Sequence, residues 1–349
     1  MRMSKEQGWH SVALRDDLFH GHVSLERGPG WVKPWRIPHW EKELYPPDAL
    51  IERAAAAAGV RLRFKTDAAA VSLDVQAEEP GGQIDCLVAG ERLDAAPVQA
   101  GQPAAIHFSL PAGEKVVELY LPQTCPVTVH RLAIPAGAAL QPAPETGPRW
   151  ITYGSSITQC AAADGPSQTW PALVARAMGY NLTCLGYGGN CHLETMLARL
   201  IRDLPADVIT LCLGINVYGA ASMGPRTFKS AVIGLIRTVR EKHPRVPIGV
   251  ISPIASPPRE STPNAVGFTL QSMREEIEDA VRRLQRVGDD RLVYVSGLDI
   301  FNLEDAEKHM PDQLHPNAEG YRIMARRIVE RLFSHPLFQN VSGREAKGA

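Results

Sequence analysis

Apolar and polar positions follow two different periods along this chain, and the change falls between its halves. In the first half, short alternating segments recur at Val60–Phe64, Val71–Val75, Ile84–Val88, Ile106–Leu110, Val116–Leu121 and Val127–Leu132, roughly 10 to 12 residues apart and separated by Gly, Pro and Asp. This spacing predicts an antiparallel β-sandwich. Ala49–Ala58 is rich in helix formers and is followed by Gly59, which suits a left-handed cap, so one short helix is expected among the strands. From Ile134 to Pro148 Pro, Gly and Ala replace the periodic pattern, as in an interdomain linker.

Beyond the linker, short apolar runs alternate with longer segments of 3.6-residue period, the mark of βα units around a parallel sheet. Strands are predicted at Trp150–Tyr153, Leu182–Leu185, Val208–Leu213, Ile248–Ser252 and Leu292–Val295. Helices are predicted at Thr169–Met178, Leu193–Leu204, Thr227–Lys242, Thr269–Val287 and Ala318–Phe333. The expected fold class is therefore α/β: a five-stranded parallel sheet in a flavodoxin-like, three-layer α/β/α domain, preceded by a jelly-roll-like β-sandwich. The expected bounds are a sandwich at 1–138, a linker at 139–148, the α/β domain at 149–340 and a tail at 341–349. No fixed-period repeat occurs, which removes solenoids and propellers.

Composition narrows the partners. A chain of 349 residues has room for two cores at about 150 residues per domain. Its 37 Lys and Arg against 38 Asp and Glu leave a net charge of −1, without the basic excess that a phosphate backbone requires, so no nucleic-acid partner is expected. The N-terminus carries charges but no apolar leader core, and no run approaches the 18 apolar residues of a membrane span. A cytoplasmic protein without a membrane partner is the expectation. The six cysteines include no C-x-x-C pair, so no zinc ribbon or dithiol redox site is signalled.

Open parallel sheets bind ligands beyond the carboxyl ends of their strands, so the residues there carry the search for chemistry. The first strand runs into Gly154-Ser155-Ser156-Ile157-Thr158. A serine at such a strand-to-helix turn meets the helix's positive end and its free N–H groups. A plain capping turn explains the same segment, and the nucleophile elbow G-x-S-x-G is absent. Past the last strand comes Pro311-Asp312-Gln313-Leu314-His315-Pro316-Asn317, with Asn317 placed to cap the final helix. An Asp three residues before a His can hold the imidazole by Nδ1–H and leave Nε2 for a proton from a hydroxyl. A surface turn with a capping Asp is the bland alternative. Gly186-Tyr187-Gly188-Gly189-Asn190 follows the second strand and Leu213-Gly214-Ile215-Asn216 the third, and both can supply amide donors to a developing oxyanion. Singly, each is an ordinary βα turn.

Together, the four blocks resemble the SGNH hydrolases, the GDSL esterase/lipase superfamily, in its subgroup with GSSIT in place of GDSL and a β-rich domain in front. The resemblance covers roughly residues 148–335. It implies Ser156 as nucleophile, His315 as general base and acid, and Asp312 as the group that orients His315. Ser156 N–H, Gly189 N–H and the Asn216 side chain are implied as the oxyanion hole. Two residues depart from the family pattern: Ser155 stands where Asp is usual, and Val217 follows Asn216 where Asp is common. Ser155 is the weaker candidate for the nucleophile.

The resemblance implies a serine esterase working through an acyl-enzyme, with neither metal nor organic cofactor, on a small-molecule ester such as an acylated sugar or natural product. One rival is an acyltransferase to a sugar or natural-product hydroxyl; another is a glycan-binding protein with an inert hydrolase domain. His192, just after the glycine loop, can line the pocket or simply sit part-exposed at a helix start, the commoner case, whereas Tyr187, Trp170 and Met196 read as core. Trp9, Trp31, Trp35 and Trp40, with His39 nearby, can either stack on a sugar or fill the sandwich, and filling is the favoured reading.

Overall fold

The computed structural model describes residues 8–46, 49–339 and 341. Of the tail expected at 341–349, residues 342–349 lie outside this range, as do residues 1–7 of the N-terminal segment. The chain forms two compact units. One takes residues up to Lys42 together with Ile51–Glu145 and Gly165–Ser167; the other takes Glu43–Leu50, Thr146–Asp164 and Gln168 onward.

The first unit holds two antiparallel sheets. In one the order is Ser24–Gly28, Trp31–Trp35, Val127–Pro135, Ala70–Ala77, Ala104–Ser109, with Trp9–Val12 also paired to Val127–Pro135. In the other it is Leu140–Pro142, Arg61–Thr66, Lys115–Tyr120, Gln83–Val88, Glu91–Pro97, with Phe19–His20 on Arg61–Thr66. Alternate residues of both sheets, among them Val71, Leu73 and Val75 from one and Leu62, Phe64, Val117 and Leu119 from the other, share one buried core. The sequence pattern finds six strands, the edge strand Ala104–Ser109 among them, and misses Trp31–Trp35, Glu91–Pro97 and Leu140–Pro142. Leu140–Pro142 falls inside the expected linker, yet it adds a strand to the second sheet; Pro142 is tolerated because that strand lies at the sheet's edge.

The expected helix at Ala49–Ala58 ends early, at Ala55. Buried Arg36 accounts for this: its Nε donates to the Ala56 carbonyl at 2.7 Å, its Nη2 to the Arg53 carbonyl, and its backbone N–H to the Ala54 carbonyl at 2.8 Å. The last carbonyls thus find partners outside the helix, and Ala56 bridges to Pro126 instead. Three of the four tryptophans have separate surroundings. Trp35 is buried under the Lys33 and Lys42 ammonium groups, Trp9 lies on His107, and Trp40 is 69% exposed against the edge of His39.

His20 and His22 set a pH dependence for this unit. Burial lowers both to about 4; Arg61 and Arg63 add to the effect at His20 against the pull of Glu145, and His20 itself adds to it at His22. Unfolded, each takes a proton near pH 6.5. Stability from these groups is therefore complete above pH 6.5 and declines as pH falls from there toward 4, by up to about 1.4 kcal/mol per pH unit for each histidine. Urea unfolding between pH 7 and 4.5 should show this slope, and His20→Gln/His22→Gln should flatten it. An equal slope in the double variant would assign the dependence to other groups.

In the second unit all five strands are parallel: β1 (Arg149–Gly154), β2 (Asn181–Gly186), β3 (Val208–Cys212), β4 (Ile248–Ile251) and β5 (Leu292–Val295), in the order β2-β1-β3-β4-β5. The chain leaves β1 toward β2 on one side and then crosses to β3 on the other, so the strand order reverses between β1 and β3 and a crevice opens at the carboxyl ends of those two strands. The helices are α1 (Ser156–Gln159), α2 (Trp170–Met178), α3 (Thr195–Asp203), α4 (Ile215–Ala220), α5 (Pro225–Arg240), α6 (Leu270–Arg286), α7 (Gly297–Ile300), α8 (Leu303–His309), α9 (Ala318–Ile328) and α10 (Pro336–Gln339). α9 packs on α2, whereas α5 packs on α3 and α6, which gives the α/β/α arrangement. The expected final helix continues past Ile328 only as a π-turn over Val329–Phe333. That turn brings Phe333 edge-on to the fully buried Trp150, which also packs on Trp170 and Tyr180 and donates to Thr210 Oγ1 at 3.0 Å. Among the described residues no helix is long and apolar enough to cross a membrane.

Candidate active site

At the end of β1 the chain turns directly into α1. Ser155 caps that helix: its Oγ accepts the Ile157 N–H at 3.2 Å, and the residue is 2% exposed. Its oxygen is held in the cap and almost sealed from solvent, which disfavours it as a nucleophile. Ser156 occupies the first helical position, half-buried, where its own N–H has no intrahelical acceptor. The turn packs so closely on β2 that a Cβ on Gly186 would meet the Gln159 N at 2.4 Å and the Thr158 carbonyl carbon at 2.6 Å. Only glycine leaves room there. From the other side, the fully buried Trp170 donates its ring N–H to the Ile157 carbonyl at 2.8 Å.

The His315 Nε2 lies 2.8 Å from Ser156 Oγ, across 159 residues of sequence. Its Nδ1 lies 2.6 Å from Asp312 Oδ2, while Asp312 Oδ1 accepts the backbone N–H groups of Leu314 at 3.0 Å and His315 at 2.7 Å. Burial acts to raise the Asp312 carboxyl. The bonds it accepts from the His315 backbone, the His315 ring and the Leu314 backbone outweigh that effect and hold it at about 2. An ionised carboxylate only accepts, so Nδ1 carries the ring proton of neutral His315 and Nε2 offers a lone pair to the Ser156 hydroxyl. Asn317 caps α9 through the Gly320 N–H at 3.0 Å and so fixes the far end of the same turn.

The loop after β2 uses up nearly all its donors. Tyr187 N–H donates to the Gly154 carbonyl at 2.8 Å, Gly188 N–H to Gln159 Oε1 at 2.8 Å, and Asn190 N–H to the Tyr187 carbonyl at 3.0 Å. Cys191 N–H donates to Asn216 Oδ1 at 3.0 Å. Gly189, at φ +74°, has an N–H with no partner among the described residues. With Asn216 Oδ1 engaged, the side-chain amide has only its Nδ2–H groups left, and these also lack a partner among the described residues. Gly214 precedes Asn216 at φ +115°, the left-handed region that favours glycine, and starts α4 there. Three donors at the ends of β1, β2 and β3 are thus left unspent by the fold.

Of the other sequence candidates, Trp170 and Tyr187 are core, and Met196 is half-buried. His192 is half-buried and bridges two loops, with Nδ1 at 2.8 Å from Ser222 Oγ and Nε2 at 3.0 Å from the Gly189 carbonyl. A carbonyl only accepts, so Nε2 carries the proton and Ser222 donates to Nδ1. The sequence pattern does not mark Glu194, whose half-buried carboxylate accepts the Tyr153 hydroxyl at 3.1 Å and the His192 N–H at 3.3 Å, and whose charged form burial disfavours. Nor does it mark Ser256 or Arg259. No spacing in the sequence links any of these three to the four blocks.

Residues 152–323 match the model of the GDSL-like lipase/acylhydrolase family, and residues 18–130 match the model of the SsfX3 N-terminal domain. Among solved structures, the chain is similar to a salicylyl-acyltransferase, SsfX3, from a tetracycline biosynthetic pathway. The two share 33% identity over 94% of this chain and 98% of the other, at a TM-score of 0.87. A putative GDSL-like lipase from Bacteroides ovatus is similar at 20% identity and TM-score 0.76, covering 93% and 97% of the two chains. A family two carbohydrate esterase from Cellvibrio japonicus is similar at 16% identity and TM-score 0.67, covering 95% and 98%. These last two likenesses concern the fold. No curated protein sequence matches.

Proposed function

Because this chain belongs to the GDSL-like lipase/acylhydrolase (SGNH) family and is an ester-acting serine hydrolase, we propose that it opens a carboxylic ester of a small or sugar-like alcohol through an acyl-enzyme on Ser156. The observation that carries this reading is the hydrogen-bonded line from Ser156 Oγ through His315 to the ionised Asp312. Ser156 Oγ attacks the ester carbonyl carbon while its proton passes to His315 Nε2. Asp312 stabilises the imidazolium that forms. The negative charge on the former carbonyl oxygen is held by Ser156 N–H, Gly189 N–H and Asn216 Nδ2, donors already fixed in place before the charge develops. Collapse expels the alcohol, which takes the proton from His315; water then attacks the acyl-enzyme by the same route and releases the acid.

A second reading, transfer of the acyl group to an acceptor hydroxyl in place of water, is favoured by the similarity to the salicylyl-acyltransferase. Both readings share the acyl-enzyme and differ in how well an acceptor excludes water. Incubation with nitrophenyl acetate or an aromatic acyl donor, with and without sugar and polyphenol acceptors, tests them. Free acid as the main product at all acceptor concentrations supports the esterase. New ester formed faster than free acid supports the transferase, and no turnover of any donor by the wild-type protein would count against both.

Asn216 offers a sharper test, because one side chain has two jobs. Asn216→Asp keeps an oxygen for the Cys191 N–H and removes the donor, whereas Asn216→Ala removes both. Each should lower kcat on a small activated ester by about 10²- to 10³-fold, the usual effect of losing one oxyanion donor. Turnover like the wild type's in Asn216→Ala would remove this residue from the oxyanion hole.

A further inference from the structure

The turn that carries His315 holds a strained residue, and a loop from a different strand grips it. Gln313, between Asp312 and His315, sits at φ +58°, a backbone conformation that side chains other than glycine rarely adopt. With the chain bent this way, the N–H groups of Leu314 and His315 both turn back onto Asp312 Oδ1. The Gln313 carbonyl accepts two bonds from the loop after β4: one from Ser256 Oγ at 2.7 Å and one from Arg259 Nη1 at 3.0 Å. Arg259 Nη1 also donates to Ser256 Oγ at 2.8 Å, so the three groups form a closed triangle.

The gripping loop is itself anchored. Ser256 is 2% exposed, and its N–H donates to Glu260 Oε1 at 3.0 Å. Arg274, also buried, holds Glu260 through two bonds of 2.7 and 2.8 Å and donates to the Pro253 carbonyl at 2.8 Å and the Ile254 carbonyl at 3.2 Å. A run of bonds thus leads from α6 through Arg274, Glu260 and Ser256 to the carbonyl beside the Asp312–His315 pair. A strained conformation persists only where its surroundings over-determine it, and these bonds supply that excess.

We propose that Ser256 and Arg259 are positioning residues for catalysis: by clamping the Gln313 carbonyl they hold the left-handed turn that keeps Asp312 on Nδ1 of His315 and Nε2 of His315 on Ser156. The inference rests on the reading of Ser156, His315 and Asp312 as the catalytic set. Neither residue touches the reacting atoms; they act through the angle of the imidazole. Without the clamp Gln313 relaxes toward negative φ, the carboxylate swings off the ring, and His315 no longer meets the serine hydroxyl in the productive orientation.

The test is kcat per active site, with sites counted by a fluorophosphonate burst, in Ser256→Ala, Arg259→Gln and the double variant. Misplacement of a catalytic group by about 1 Å can cost on the order of 10²-fold, so Ser256→Ala should lose roughly 10-fold in kcat with KM nearly unchanged, and Arg259→Gln less. The double variant should lose less than the product of the two, since both bonds secure one carbonyl. The downfield proton resonance of His315 Nδ1–H should broaden or shift in step. Gln313→Gly, which takes φ +58° without strain, should recover part of the activity lost in Ser256→Ala. A merely structural role predicts fewer titratable sites, each with wild-type kcat and an unchanged resonance, and that outcome overturns the proposal. Arg259 is only half-buried, so its variant keeps the test open if Ser256→Ala fails to fold. Ester turnover that survives in Ser156→Ala sinks the catalytic reading itself, whereas Ser156-dependent turnover indifferent to both clamp variants sinks only the clamp.

Discussion

Ser156→Ala should lose about 10⁴-fold or more in kcat on an activated ester and keep its thermal midpoint. The size follows from what is removed. Without the hydroxyl no acyl-enzyme forms, and what remains is the modest assistance of an oxyanion hole to direct attack by water. The stability claim follows from the contacts: the Ser156 hydroxyl is bonded to His315, while the cap of α1 belongs to Ser155 and the packing of the turn to Gly186 and Trp170. Ser155→Ala is the matching control. Loss of a buried cap should lower stability by about 1 kcal/mol and leave the nucleophile in place. If Ser155→Ala silences turnover in folded protein while Ser156→Ala does not, the two serines have been assigned the wrong way round.

Asp312→Asn should cost nearly as much, about 10⁴-fold in kcat, although it changes one atom. Oδ1 of Asp312 accepts two backbone N–H groups, so a carboxamide there must keep its oxygen on that side and turn its NH₂ toward the imidazole. A donor facing Nδ1 forces the ring proton onto Nε2, where it meets the Ser156 hydroxyl and leaves no lone pair to receive its proton. With its carboxyl at about 2, the wild-type Asp312 stays ionised through the whole range of ordinary assays, so its protonation does not shape the acid limb of the pH profile. Measured kcat and burst amplitude check the prediction. A variant with wild-type burst and turnover would mean that the tautomer of His315 is not set by this carboxylate.

Much of the second unit was legible because parallel strands are buried on both faces. Trp150–Tyr153, Val208–Leu213 and Leu292–Val295 read as apolar runs bounded by helical periods, and the structure places β1, β3 and β5 there. Three strands of the first unit were illegible because they lack such a run. Trp31–Trp35 contains Lys33 and Pro34, Glu91–Pro97 is exposed along most of its length, and Leu140–Pro142 looks like linker; each takes its pairing from a neighbour rather than from its own pattern. The early end of the helix after Ala49 depends on Arg36, more than a dozen residues upstream, whose side chain takes the carbonyls the helix would have used. At the site, the residue types and their order after the strands could be read directly. The left-handed Gln313, the loop that grips its carbonyl and the bridge made by His192 could not, because they are properties of backbone direction and of contacts between segments far apart in sequence.

The most direct measurement is the site of covalent capture. Reaction of the folded protein with a fluorophosphonate, followed by peptide mass analysis, should give one adduct on Ser156, at full stoichiometry, slowed by Asp312→Asn and absent in Ser156→Ala. An adduct on Ser155 or elsewhere, or no adduct in protein that turns over esters, would contradict the account.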